Sequence, residues 1–209
     1  MQVIALIGNK GGAGKTTLCV NIAAAFATCQ PTVILDADPQ RSSLQWHDIS
    51  EDQPAVDAMP ASDNIARDIE QLANDYRYCL IDCPPSAQST QMRQALAVSH
   101  LAIIPVQPSP LDIWATIQVE PEVASAINNN PALRPLVLVN QFESRSQLSR
   151  QTPQALDELS LPVAATRINR RVAYRHSFVE GKSVHDMGAR GKLAADEIQQ
   201  LIAELESFL

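Results

Sequence analysis

Asn9-Lys10-Gly11-Gly12-Ala13-Gly14-Lys15-Thr16-Thr17 follows the apolar run Val3–Gly8 and precedes a stretch of helical period over about residues 16–29. A glycine-rich turn between a strand and a helix is the setting a phosphate-binding loop requires. Glycines let successive backbone N–H groups turn toward phosphate oxygens. The helix N-terminus adds the positive end of its dipole. Lys15 can reach β- and γ-phosphate oxygens as a compact charge, and the Thr16 hydroxyl can ligate Mg²⁺. The general pattern G-x-x-x-x-G-K-[ST] is met except at its first position, where Asn9 stands, followed by a second lysine, Lys10.

Outward from this turn the chain alternates. Continuous apolar runs occur at Val3–Gly8, Thr32–Leu35, Tyr78–Ile81, Leu101–Val106, Leu136–Val139 and, more weakly, Leu161–Ala164. Short unbroken runs of this kind read as strands buried on both faces. Helical spacing lies between them, at about 65–75, 88–98, 111–129, 149–159, 169–179 and 190–208. Strand-helix alternation predicts an α/β fold with a mostly parallel central sheet and helices on both faces. Residues 50–64, polar and containing prolines, read as a surface loop within one domain spanning 1–209.

The 209 residues include 45% hydrophobic, 19% charged and 4% aromatic residues. These values exclude disordered and fibrous classes, and the few aromatics argue against base-stacking RNA platforms. Four cysteines are too few for a disulfide framework. Cys19, Cys29, Cys79 and Cys83 read as small buried hydrophobes. No basic leader precedes the first strand, and no apolar run reaches the roughly 18–20 residues of a membrane-spanning helix. A cytoplasmic protein is the expectation.

Carboxylates punctuate the strand ends. Asp82 closes the run 78–81, where it can hold Mg²⁺ beside the phosphate loop, directly or through water. Asp38 lies two residues beyond Asp36, at the end of the run 32–35, and can orient or accept a proton from an attacking water. Asn140 closes the run 136–139 and can donate and accept at once, which suits the edge of adenine. Two lysines near one triphosphate repel unless both face anionic oxygens.

The segment Lys10–Thr16 contains K-G-G-x-G-K-[ST] in full. With Asp36-Ala37-Asp38-Pro39-Gln40, Cys79–Pro85 and Pro105–Asp112, it resembles the deviant Walker A ATPases, specifically the ParA branch of the ParA/MinD family. The resemblance spans essentially the whole chain. It implies a P-loop NTPase fold of the short type, without an N-terminal helix-turn-helix domain, using ATP and Mg²⁺. Nucleotide would be held by Lys10, Gly11, Gly12, Ala13, Gly14, Lys15, Thr16, Thr17 and Asn140. Mg²⁺ would be held by Thr16 and Asp82. Catalysis would rest on Lys10, Lys15, Asp38 and Asp82, with Asp38 as the hydrolysis residue and Lys10 reaching the phosphates of a second subunit. ATP would thus join two copies in a C₂ homodimer. That dimer would bind nucleoid DNA without sequence preference and position or segregate a cargo, whether plasmid, chromosome region or protein assembly such as a carboxysome. A ParB-like or cargo-adaptor partner would stimulate slow hydrolysis.

Charge is uneven along the chain. The net charge is −7, yet residues 134–192 carry 10 Lys+Arg against 5 Asp+Glu. Arg167, Arg170, Arg171 and Arg175 make the candidate DNA-binding set. Arg167, Arg171 and Arg175 are spaced by four and share a face if the helix begins that early. Basic residues without interleaved aromatics suit phosphate contact rather than base reading. The final stretch 193–209 places Ile198, Leu201, Ile202, Leu205 and Leu209 on one face, with Glu197, Glu204 and Glu206 opposite. An acidic helix of this kind argues against membrane targeting. Two alternatives remain: a MinD-like membrane-surface ATPase, separable by liposome co-sedimentation, and a metabolic P-loop enzyme, separable by substrate-dependent ADP production without DNA.

Overall fold

The computed structural model describes residues 1–50 and 56–209. Its centre is a parallel six-stranded sheet: β1 (Gln2–Leu6), β2 (Thr32–Asp36), β3 (Asp57–Pro60), β4 (Tyr78–Asp82), β5 (Leu101–Val106) and β6 (Arg134–Val139). The spatial order is β3-β2-β4-β1-β5-β6, and every pairing is parallel. The helices are α1 (Lys15–Ala27), α2 (Ser42–Ile49), α3 (Ile65–Leu72), α4 (Thr90–Val98), α5 (Pro110–Ile117), α6 (Glu120–Asn129), α7 (Gln147–Leu156), α8 (Val172–Val179) and α9 (Lys192–Leu205). A 3₁₀ segment, Val184–Arg190, precedes α9.

The strands are continuous apolar runs because both sheet faces are covered. Along β1 and its end, Ile4 and Leu6 join a core with Leu18, Ile22, Ile198 and Leu201. Val3, Ala5 and Ile7 face the opposite core, with Met92, Leu96, Ile113 and Val123. One-residue alternation therefore divides each strand between two helical layers. The apolar face of α9 is sequestered: Ile198, Leu201 and Leu205 are fully buried. Each such side chain contributes roughly 1.5–3 kcal/mol of burial.

The structure differs from sequence expectation in several places. Part of the stretch read as a loop is the edge strand β3, paired to β2 from Val33↔Asp57 to Asp36↔Pro60; residues 51–55 of that stretch lie outside the described residues. Its four residues are mostly exposed, so no buried apolar run announces them. Helix α2 has no counterpart among the helical stretches of the sequence. Its first turn is capped by a remote group, the Asp36 carboxylate, which accepts from the Ser43 hydroxyl and from Leu44 N at 3.1 Å. The helix expected at 111–129 is two, α5 and α6. Pro121 lies in the first turn of α6, where its ring clashes with the carbonyl four residues back, at Ile117, and it has no N–H to donate. Residues 161–164 form a single bridge, Val137↔Val163, rather than a strand. Cys29 is exposed, beyond the end of α1, whereas Cys19, Cys79 and Cys83 are buried.

The order in which the chain adds strands reverses around β1, with β4, β2 and β3 on one side and β5 and β6 on the other. In open parallel sheets the ligand crevice forms at such a switch point, outside the carboxyl ends of the strands. The loop after β1, Asp36, Asp82 and Asn140 all lie at that edge, and Asp36 and Asp82 are register partners on adjacent strands.

A phosphate-binding cradle at the carboxyl edge of the sheet

The loop between β1 and α1 is held by its carbonyls. Lys15 Nζ donates to Lys10 O at 3.2 Å. Gly12 O accepts from Gln107 Nε2 at 3.0 Å and from Gln141 Nε2 at 2.9 Å. Ala13 O accepts from Asn140 Nδ2 at 2.8 Å. Among the described residues no backbone N–H from Lys10 to Thr17 has a protein partner. With the carbonyls tied outward, the N–H groups are left for an anion. Gly14 is required at the helix entrance for two reasons. Its φ is +92°, and a Cβ there would stand 2.3 Å from Asn140 Nδ2. Asn9, at the position the general pattern gives to glycine, donates to Ala115 O and ties the loop to α5.

Lys15 is buried beneath the loop. Burial lowers its pKa, while Asp82, Asp38 and Cys83 raise it. Asp82 is fully buried, and neither of its carboxylate oxygens has a hydrogen-bond partner. Burial pushes its pKa up to about 7, with Asp36 and Asp38 adding to the rise; the nearby Thr16 hydroxyl, although it completes no hydrogen bond, and Lys15 oppose it. A buried orphan carboxylate beside a hydroxyl at a phosphate loop fits a divalent cation: Thr16 and Asp82 supply hard oxygen donors, and the cation would cancel the uncompensated charge.

Asp36 and Asp38 have separate environments. Asp36 is spent on structure, accepting from Asp38 N as well as from α2. Asp38 is half-buried; one oxygen accepts from Gln40 N at 2.9 Å, and the carboxylate lies near enough to Lys15 and Asp82 to act on both. Lys10 is exposed and folded onto its own chain, with Nζ 2.8 Å from Asp112 Oδ1 and 3.4 Å from Leu111 O. Both ends of the Asn140 amide are engaged, since Oδ1 accepts from Gln141 N at 2.9 Å.

A cavity of about 320 Å³ continues from Gly14 and Thr17 past Asn140 to Asn169, Arg171 and Tyr174. The basic residues beside it are not a helical stripe. Helix α8 begins only at Val172, Arg171 is its N-cap in extended conformation, and Arg167 lies in the preceding loop. Arg171 donates through Nε and Nη2 to Glu197 Oε1, at 2.8 and 2.6 Å. Arg170 pairs with Glu143 at 2.7 Å, and Arg167 stacks over the Phe142 ring at 5.0 Å. Arg175 is exposed. Glu197, expected on a solvated face, is buried and also accepts from Asn169 and Tyr174. Glu204, of the same face, accepts from Ala165 N and Thr166 N. Neither glutamate is legible as an anchor in the sequence, because their partners lie 23 to 39 residues away.

Fold and cradle together define a P-loop nucleotide-binding protein. The profile of the CobQ/CobB/MinD/ParA nucleotide binding domain matches residues 4–184, and the chain belongs to that family. A protein of Halothiobacillus neapolitanus named maintenance of carboxysome distribution protein A is 36% identical over 205 residues, covering 97% of this chain and 95% of that protein. Among solved structures, the ATP complex of Cyanothece McdA superposes with a TM-score of 0.75 at 17% identity, over 99% of this chain and 96% of that one. MinD of Pyrococcus horikoshii with Mg-ADP also gives 0.75, at 20% identity, over 98% and 97%. At such identities these two likenesses concern the fold alone. No helix among the described residues is long and apolar enough to cross a membrane.

Proposed function

We propose that this chain is a ParA-type ATPase that dimerises around ATP, binds nucleoid DNA without sequence preference and positions a protein assembly through partner-stimulated hydrolysis. The observation that carries this reading is the cradle itself, with free N–H groups, a buried Lys15 and an orphan Asp82 at one edge of the sheet. The relative of H. neapolitanus favours a carboxysome-like assembly over a plasmid as cargo.

In this reading backbone N–H groups and Lys15 bind the phosphates. Thr16 and Asp82 hold Mg²⁺, which neutralises phosphate charge when bound. Asp38 orients the attacking water, and phosphoryl transfer then depends on positioning and charge neutralisation. Lys10 serves the partner subunit's nucleotide. Its link to Asp112 is half-exposed, at 44% and 28% side-chain exposure, so releasing it costs at most about 1 kcal/mol. Arg167, Arg170 and Arg175 supply phosphate contacts to DNA. Arg171, bound to Glu197, is their structural support.

The test is paired. A hydrolysis-blocked sample saturated with ATP is expected to double its mass by light scattering and to shift random-sequence duplex in a gel. A monomer under those conditions removes the dimer reading, and a dimer that ignores duplex removes the DNA reading. Asp38→Ala is expected to leave an ATP-bound dimer on DNA; rapid hydrolysis in that variant moves the role to another residue.

A further inference from the structure

We infer that Asn169, oriented by the buried Glu197 of α9, selects adenine over guanine. This rests on the nucleotide reading above, because a triphosphate on the loop directs its base into the cavity lined by Asn140, Asn169, Arg171 and Tyr174.

Asn140, the base reader the resemblance implies, also braces the loop, donating to Ala13 O and accepting from Gln141 N, which leaves it one N–H and one lone pair. Asn169 differs. Its Nδ2 donates to Glu197 Oε1 at 2.6 Å, and its backbone N donates to Glu197 Oε2 at 3.3 Å. An ionised carboxylate accepts only, so the amide NH₂ must be the end that faces it. Arg171 donates twice to the same oxygen, so Glu197 presents that oxygen as an acceptor to both side chains. The carbonyl end of Asn169 is thereby fixed away from Glu197, and no donor among the described residues takes it. Adenine carries an N–H donor at its 6-position, where guanine carries a carbonyl acceptor. A fixed acceptor pairs with the first and opposes the second, leaving two acceptors face to face. Glu197 touches no ligand; it is a positioning residue.

The competing amide is Gln141, which also lines the cavity. It is held by a neutral carbonyl, Gly12 O, and lies at the exposed rim. It therefore serves as the control.

The experiment is calorimetric titration of the full chain with ADP and with GDP, in Mg²⁺, for wild type, Asn169→Ala, Glu197→Gln and Gln141→Ala. Diphosphates keep dimerisation out of the readout. Wild type is expected to prefer ADP by roughly 10-fold or more. Asn169→Ala is expected to reduce that preference by about 3- to 10-fold, mostly by weakening ADP. Glu197→Gln is expected to reduce it as well, because a neutral partner lets the Asn169 amide turn either end to the base. Asn169 is half-exposed, so its alanine variant folds even if Glu197→Gln does not. An unchanged ADP-to-GDP ratio in Asn169→Ala overturns the inference, as does a ratio lost only in Gln141→Ala. Equal wild-type affinity for both nucleotides also overturns it while leaving the phosphate cradle intact. Failure of wild type to bind either nucleotide instead removes the nucleotide reading on which it rests.

Discussion

The phosphate loop and the segment 164–175 are both polar, both border the same cavity, and are held in different ways. The loop is tied through its own backbone carbonyls, with glycines at the two positions of positive φ, Gly12 and Gly14. Its shape follows from residues within nine positions of one another, helped by amides at the neighbouring strand ends. The segment 164–175 is held by carboxylates from the far end of the chain: Glu204 takes the N–H groups of Ala165 and Thr166, and Glu197 takes Asn169 and Arg171. The difference teaches that local spacing is decisive where backbone conformation makes the site, and misleading where a distant side chain does.

The sharpest way to break this comparison is at Lys15. Lys15→Ala is expected to weaken ATP binding by about 100-fold or more, the loss of roughly 3 kcal/mol of charge-assisted bonding. Near-normal affinity by calorimetry would take the loop out of nucleotide binding. Asp82→Asn sharpens the contrast in stability. It removes a buried charge that no donor satisfies, so the metal-free protein should melt higher by roughly 3–8 °C, since 1 kcal/mol moves Tm by about 2–4 °C in a chain of this size. The same variant should bind Mg-ATP more weakly. A lower melting temperature would show that the carboxylate is satisfied in solution.

Arg167→Glu with Arg175→Glu probes the second region without touching Glu197. DNA affinity should fall about 10-fold at moderate salt and the slope of log K against log salt should shrink by about 2 per chain, with ATP affinity unchanged. An unaltered salt slope would leave these arginines as surface charges. Arg171→Glu should instead disturb the cavity wall, because it sets a like charge against Glu197.

The smallest effect concerns Glu204. Burial pushes its carboxyl upward, but bonds from Thr166 and Ala165 outweigh that and hold its pKa below the usual value. A depressed folded pKa means stability that is present above the unfolded pKa, near 4.3, and lost as pH falls through the folded value. Glu204→Gln should therefore lower stability by about 0.5–1 kcal/mol near neutral pH, with the deficit vanishing in acid. Denaturant unfolding at pH 7 and pH 3 reads this directly, and an equal deficit at both would deny the charge any part.

Five core strands, the strand-loop-helix cradle and the positions of Asp38, Asp82 and Asn140 could be read from sequence. Buried parallel strands must be unbroken apolar runs, and a phosphate turn needs glycines at fixed offsets. Helix α2 and strand β3 could not be read so, since the first is capped by Asp36 across a strand end and the second is an exposed edge. The break between α5 and α6 was legible in principle at Pro121, which cannot sit inside a helix without losing a bond.

Sequence alone determined that an anion-binding turn opens an α/β sheet, because that turn is a matter of local backbone freedom. Only the tertiary structure decided that Asn140 braces the loop, that Arg171 is tied to the buried Glu197, and that the acidic side of the last helix holds the wall of the cavity. Each of these depends on which polar groups meet after burial, and burial unites residues that no local pattern connects.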